Sequence, residues 1–150
     1  MTNRTGGVAL VLFGHGARDP SWARPLELVR AGVQAHRPGM RVELAFLEYL
    51  PPTLPERVAQ LAGEGVSAVQ ILPVFIAQGG HLKREVPDLV NALRERHPSV
   101  TIDLLPVMGE DPGVLAAMAD YACRCLDAGF GGKKSDSPLG QECLGESGPA

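Results

Sequence analysis

Apolar runs and helical stripes alternate four times along the chain. The first run, Gly7-Val-Ala-Leu-Val-Leu-Phe13, has no polar alternation, the pattern of a strand covered on both faces. It breaks at Gly14-His15-Gly16. Trp22, Leu26, Val29 and Val33 then recur at helical spacing until His36-Arg37-Pro38-Gly39 stops the helix. The second unit reads as a strand over 41–47, a turn over 48–52, and a helix from about Thr53 with Leu54, Val58 and Leu61 on one face, ending at Gly63-Glu64-Gly65. Thr53 with Glu56 three positions later predicts a capping box, and Pro55 falls in the first turn, where its missing N–H costs nothing. A third unit follows as strand 68–75, loop 76–80 and helix 81–96, with Val86, Leu89, Val90 and Leu93 inward and Pro87 leaving the helix start open. The fourth is strand 100–105, loop 106–111 and a helix from Pro112 to about Ala128 that carries Val114, Leu115, Met118 and Leu126.

Four βα units in succession predict an α/β fold: a single doubly wound domain over residues 1–128, with a four-stranded parallel sheet flanked by helices and right-handed crossovers. From Gly129 the composition turns to Gly, Ser, Lys, Pro and Glu, so residues 129–150 are expected to form a low-complexity, disordered tail.

Composition narrows the function classes. A length of 150 residues suits one domain with a sizeable core. A net charge of −3 argues against a general nucleic-acid binder, so an anionic substrate would need locally placed cations. The longest apolar stretch, Val8 to Phe13, is far below the roughly 20 residues that cross a bilayer, and the opening MTNRTGG lacks the apolar core of a secretory signal. A cytoplasmic location without a membrane partner is expected. Cys123, Cys125 and Cys143 fit neither a disulfide framework nor a four-ligand zinc site and read as ordinary thiols.

The residues with candidate chemistry are His15, Glu48 and His81, spaced 33 apart and each just after an apolar strand. A βα unit is about 30 residues long, so the residue types carry more weight than the interval. In an open parallel sheet, successive strand ends meet along one edge, where these side chains can converge on one ligand. Glycines flank His15 and precede His81, and a helix N-terminus beside each histidine disfavours imidazolium, keeping a lone pair for a metal or a proton. Two imidazoles and a carboxylate suit a first-row divalent ion with open positions, and accept cobalt, iron and nickel alike. His36 and His97 sit at helix ends and read as C-terminal caps. The Gly14–Asp19 turn lacks the third glycine of a dinucleotide fingerprint, and there is neither a P-loop lysine nor an H-E-x-x-H helix. Glycine also stands where a histidine phosphatase carries its phosphate-binding arginine. Neither a nucleotide nor a redox cofactor is expected.

Four segments carry a family resemblance over roughly residues 7–126: Leu12-Phe-Gly-His-Gly-Ala-Arg-Asp-Pro20, Ala45-Phe-Leu-Glu-Tyr49 with Pro52-Thr-Leu-Pro-Glu56, Ile71-Leu-Pro-Val-Phe75 with Gly79-Gly-His-Leu-Lys83, and Pro106-Val-Met-Gly-Glu-Asp-Pro112. In this order they resemble the sirohydrochlorin chelatases of the CbiX and SirB type, the class II chelatases. The resemblance implies insertion of Co²⁺ or Fe²⁺, with Ni²⁺ acceptable to the same donors, into the tetrapyrrole sirohydrochlorin. It implies metal-binding and catalytic roles for His15 and His81, with Glu48 as their acidic partner. The length is similar to that of the family's short forms, which implies a homodimer. Where the family often has serine after Gly-His-Gly, this chain has Ala17.

Binding a polycarboxylate ring requires a local positive rim, for which Arg18, Lys83 and Arg84 lie next to the histidines along the chain. Tyr49, Phe75, Ile76, Leu82 and Met108 are placed to line an apolar cleft for the flat macrocycle. Two other readings remain at this point: a carrier of metal or tetrapyrrole that catalyses nothing, and a flavodoxin-like regulatory module without a metal.

Overall fold

A computed structural model describes residues 7–129. Strand β1 (Val8–Gly14) runs through the middle of the sheet, and Ala9, Val11, Leu12 and Phe13 are fully buried, as its unbroken apolar run requires. Beside it lies β2 (Arg41–Phe46) on one side and β3 (Ala68–Pro73) on the other, followed by β4 (Thr101–Leu104). All three pairings are parallel, in the order β2-β1-β3-β4. The chain moves outward to β2, then crosses β1 to reach β3. That reversal makes a topological switch between β1 and β3, the place where loops at the carboxyl edge diverge and leave a crevice.

Helices α1 (Arg24–His36), α2 (Leu54–Gly63) and α3 (Leu82–Arg96) follow the first three strands. One core joins Ala9, Val11 and Phe13 to Leu54, Val58 and Leu61 of α2 and to Val86, Val90 and Leu93 of α3. A smaller one joins Leu12, Val42, Leu44 and Phe46 to Leu26, Val29 and Val33 of α1. Strand side chains alternate between the faces, so the central strand feeds both cores. The predicted capping box is present: Thr53 accepts from the Glu56 N–H, and the Glu56 carboxylate accepts from the Thr53 N–H at 2.7 Å.

Several boundaries differ from the sequence reading. Trp22 belongs to a separate 3-10 turn, Pro20–Ala23, and is 67% exposed. Asp19 caps that turn by accepting from the Ser21 N–H at 2.9 Å, which starts a tight turn one step before α1 and takes the indole out of the helix stripe. β3 ends at Pro73 rather than at Phe75; proline has no N–H to extend the ladder, and the chain leaves the sheet soon afterwards. Pro87 lies inside α3, which starts at Leu82 with His81 at its N-cap.

The chain divides into two compact units between Asp111 and Pro112. The first holds the sheet and α1 to α3. The second holds α4 (Pro112–Asp127), none of whose residues is buried. Leu115, Met118 and Leu126, which the helix was expected to carry, are 46%, 43% and 69% exposed. Helical spacing identifies an apolar face without establishing that anything covers it. The expected tail, residues 129–150, lies outside the described residues apart from Gly129.

Candidate functional site

The loops after β1 and β2 are laced together beyond the strands themselves. Leu47 N–H donates to the Gly14 carbonyl at 2.9 Å, and Glu48 N–H donates to the His15 carbonyl at 3.1 Å. This continued parallel pairing puts His15 and Glu48 side by side, with His15 Nδ1 3.6 Å from Glu48 Oε1. Gly16 is required here. Its φ is +88°, and a Cβ at this position would lie 1.9 Å from the Glu48 carbonyl oxygen. The next residue, Tyr49, has φ +66° and lies under a short bond from Leu50 N–H to the Glu48 carbonyl at 2.8 Å. Together these describe a classic-hand γ-turn, a strained conformation for a non-glycine residue. It leaves the Tyr49 ring 58% exposed, with the Arg18 guanidinium 5.3 Å from its centroid.

From below, the His15 ring meets the edge of Phe75, centroid to centroid 6.2 Å, and Phe75 in turn packs edge-on against Phe13 at 5.7 Å. Phe75 is therefore a buried support for the histidine rather than an exposed wall. Leu82 is likewise half-buried against the main core, whereas Ile76 is 69% exposed. The loop after β3 is tied to the loop after β4 by Gly109 N–H donating to the Phe75 carbonyl at 2.8 Å. Gly109 permits that approach, since a Cβ there would lie 1.8 Å from the Ile76 carbonyl oxygen.

His81 occupies a different setting. Its side chain is 91% exposed, and Nε2 lies 3.2 Å from Oε2 of Glu85, one helical turn onward. Gly80, His81, Arg84, Glu85, Asp88 and Leu89 line an open groove of about 710 Å³. Lys83 is exposed on the same first turn of α3. Thus the structure pairs His15 with Glu48, and His81 with Glu85. Among the described residues no three His, Cys, Asp or Glu side chains form a group able to hold a metal ion. Glu85 was missed in the sequence, although its position four residues after His81 in a predicted helix was a usable signal.

The CbiX family model matches residues 9–124. A sirohydrochlorin cobaltochelatase from Methanopyrus kandleri is 37% identical over 83 residues, 55% of this chain and 58% of the relative. The sirohydrochlorin ferrochelatase of Bacillus subtilis is 26% identical over 110 residues, 73% of this chain and 42% of the relative. The crystal structure of a CbiX protein from Marinobacter aquaeolei VT8 superposes with a TM-score of 0.72 at 27% identity, covering 81% of this chain and 98% of that one. SirB from Bacillus subtilis with Fe³⁺ shares the fold with a TM-score of 0.66 at 24% identity, covering 85% of this chain and 50% of that one. The chain thus spans about 60% of the length of the cobaltochelatase relatives it matches.

Proposed function

The chain belongs to the CbiX family, and from that premise we propose that it inserts a divalent metal, Co²⁺ or Fe²⁺, into sirohydrochlorin. The observation that carries this reading is the His15–Glu48 pair, held at the carboxyl edge of a parallel sheet beside the switch between β1 and β3. The names of the cobaltochelatase and ferrochelatase relatives support the substrate and the choice of metals.

Metal insertion into a free-base tetrapyrrole has three requirements. The ion must shed water, the ring must present nitrogen lone pairs to it, and two pyrrole protons must leave. In the proposed mechanism Glu48 engages Nδ1 of His15, so Nε2 is the nitrogen left to meet the metal or a pyrrole proton. His81 supplies the second imidazole from the start of α3, and Glu48 lowers the net charge of the loaded site. The metal ion is a substrate that passes through, so His15, Glu48 and His81 act as successive holders, and a closed three-residue cage is not needed.

Arg18, Lys83 and Arg84 offer cations to the peripheral carboxylates of the macrocycle. The exposed Tyr49 and Ile76 and the half-buried Leu82 offer apolar surface to its face. Arg18 stacked on Tyr49 combines both properties in one contact. We also assign the working form as a homodimer. The Marinobacter aquaeolei protein matches over nearly its whole length, whereas SirB matches over half of its length, as if a second copy of this chain corresponded to the rest. Among the described residues no helix is long and apolar enough to cross a membrane; a cytoplasmic location is part of the proposal.

The test mixes the protein with metal-free sirohydrochlorin and Co²⁺ or Fe²⁺ and follows the absorption spectrum against a protein-free control. Many metallated rings per protein support the enzyme. A signal that stops at one ring per protein identifies a carrier instead, and no acceleration over the control overturns the proposal.

A further inference from the structure

We propose that Glu85 is a positioning residue for His81: its carboxylate accepts the Nε2–H of the ring, holds one rotamer, and leaves Nδ1 to present its lone pair toward the cleft. This deepens the chelatase reading and rests on it. The two atoms are 3.2 Å apart as an i,i+4 pair, and both residues line the same groove with Gly80 and Arg84.

Among the described residues, Glu85 is the side chain paired with this ring. The His81 side chain is 91% exposed, and Gly79 and Gly80 just before it have no neighbouring atom within 4 Å of an added Cβ. The backbone is fixed, because the His81 carbonyl accepts from the N–H groups of both Arg84 and Glu85, at 3.1 and 3.0 Å. That leaves the side-chain torsions as the open variable, and an imidazole that samples several rotamers reaches a metal or a pyrrole proton only part of the time.

A purely structural explanation fits less well. As a helix-stabilising ion pair, a cationic His81 at the N-terminus with Glu85 one turn later has the unfavourable order relative to the helix dipole. A neutral imidazole can donate one N–H to a carboxylate. A histidine that ligates metal through one nitrogen commonly donates from the other to a carboxylate, and loss of that partner typically costs about 10- to 100-fold in affinity or activity. His15 meets Glu48 through Nδ1 and His81 meets Glu85 through Nε2, so each proposed imidazole has its own carboxylate on the opposite ring nitrogen.

The experiment compares the full chain with Glu85→Ala and Glu85→Gln. Turnover is measured with sirohydrochlorin and Co²⁺, and the χ1 coupling constants of His81 are measured by NMR without metal. Glu85→Ala should lower kcat about tenfold or more, leave KM for sirohydrochlorin within about twofold, and turn a single His81 rotamer into an averaged one. Glu85→Gln, whose amide oxygen still accepts the N–H, should restore the single rotamer and most of the turnover. The proposal is overturned if Glu85→Ala keeps kcat within about twofold of the parent, or if His81 is already rotamerically averaged in the parent. His81→Ala separates the two levels. Normal turnover in that variant refutes the role given to His81 in the chelatase reading, and the coupling constants alone then decide whether Glu85 orients the ring.

Discussion

The two histidine corners look alike as text and differ as structure. Each follows a buried parallel strand, and each has glycine next to the histidine. At the first, the chain reaches the neighbouring loop at once, and backbone bonds from Leu47 and Glu48 extend the sheet past its last strand residue. The ring then lies beside Glu48 on one side and against Phe75 beneath. At the second, the segment 74–81 separates the end of β3 from α3; Val74 N–H still reaches the Phe13 carbonyl, and the next tie runs to Gly109 in the loop after β4. His81 therefore belongs to the start of a helix rather than to the sheet edge. The contrast teaches that a sheet can place one donor rigidly and leave its partner on an element whose side chain is steered locally.

The largest expected effect tests whether the two corners are functionally equal despite that contrast. His15→Ala and His81→Ala should each lower metal insertion by about 100-fold or more, with circular dichroism unchanged, since neither side chain is buried. If only one variant loses turnover in the spectroscopic assay, the corners do not share the chemistry.

Next in size is a glycine pair that asks which corner is rigid. Gly16→Ala meets both a positive φ and the Glu48 carbonyl oxygen, and should destabilise the fold by about 1–3 kcal/mol while reducing insertion. Gly80→Ala faces open space and should stay within about 0.5 kcal/mol of the parent in thermal melts. Equal melting losses would erase the distinction between a laced corner and an open one.

Thr53→Ala sharpens the comparison further. It removes the cap of α2 directly after the Glu48–Pro52 turn, and should cost about 1 kcal/mol in denaturant unfolding. NMR should show shifts at His15 and not at His81.

The smallest effect is a control at the far end of β2. The Arg41 guanidinium, joined by Gln60, holds the Glu64 carboxyl below its usual range, and Glu64 with Glu43 raises Arg41. Because the folded state depresses the Glu64 value, the resulting stability is present above the ordinary carboxylate value near 4.5 and is lost as pH falls through the lower folded value. Glu64→Gln should slightly flatten the acid side of the melting-temperature profile while leaving insertion intact at neutral pH. A loss of insertion would show that the carboxyl edge is coupled to this end of the strand.

Much of this architecture was legible because it depends on local or periodic signals. Unbroken apolar runs mark strands buried on both faces, and the Thr53–Glu56 box and the stripes of α2 and α3 lie where their spacing predicts. Trp22 misled and the apolar residues of α4 stand exposed for the same reason: a period identifies a face and says nothing of what lies opposite. Within the site, His15 and Glu48 could each be placed after a strand, while their pairing needed β1 and β2 to be neighbours in the sheet. Glu85 could have been found from helical spacing, yet its partnership with His81 depends on where α3 begins.

By itself the amino-acid sequence determined the parallel α/β class, the strand-end placement of His15 and the family to which the chain belongs. Buried runs, caps and glycines act over a few residues, where chain connectivity already brings the groups together. Only the tertiary structure decided the strand order, the switch between β1 and β3, and which carboxylate attends each imidazole. Those outcomes depend on packing between segments far apart in the chain, and a shift of one turn in where a helix starts is enough to change a histidine's neighbour.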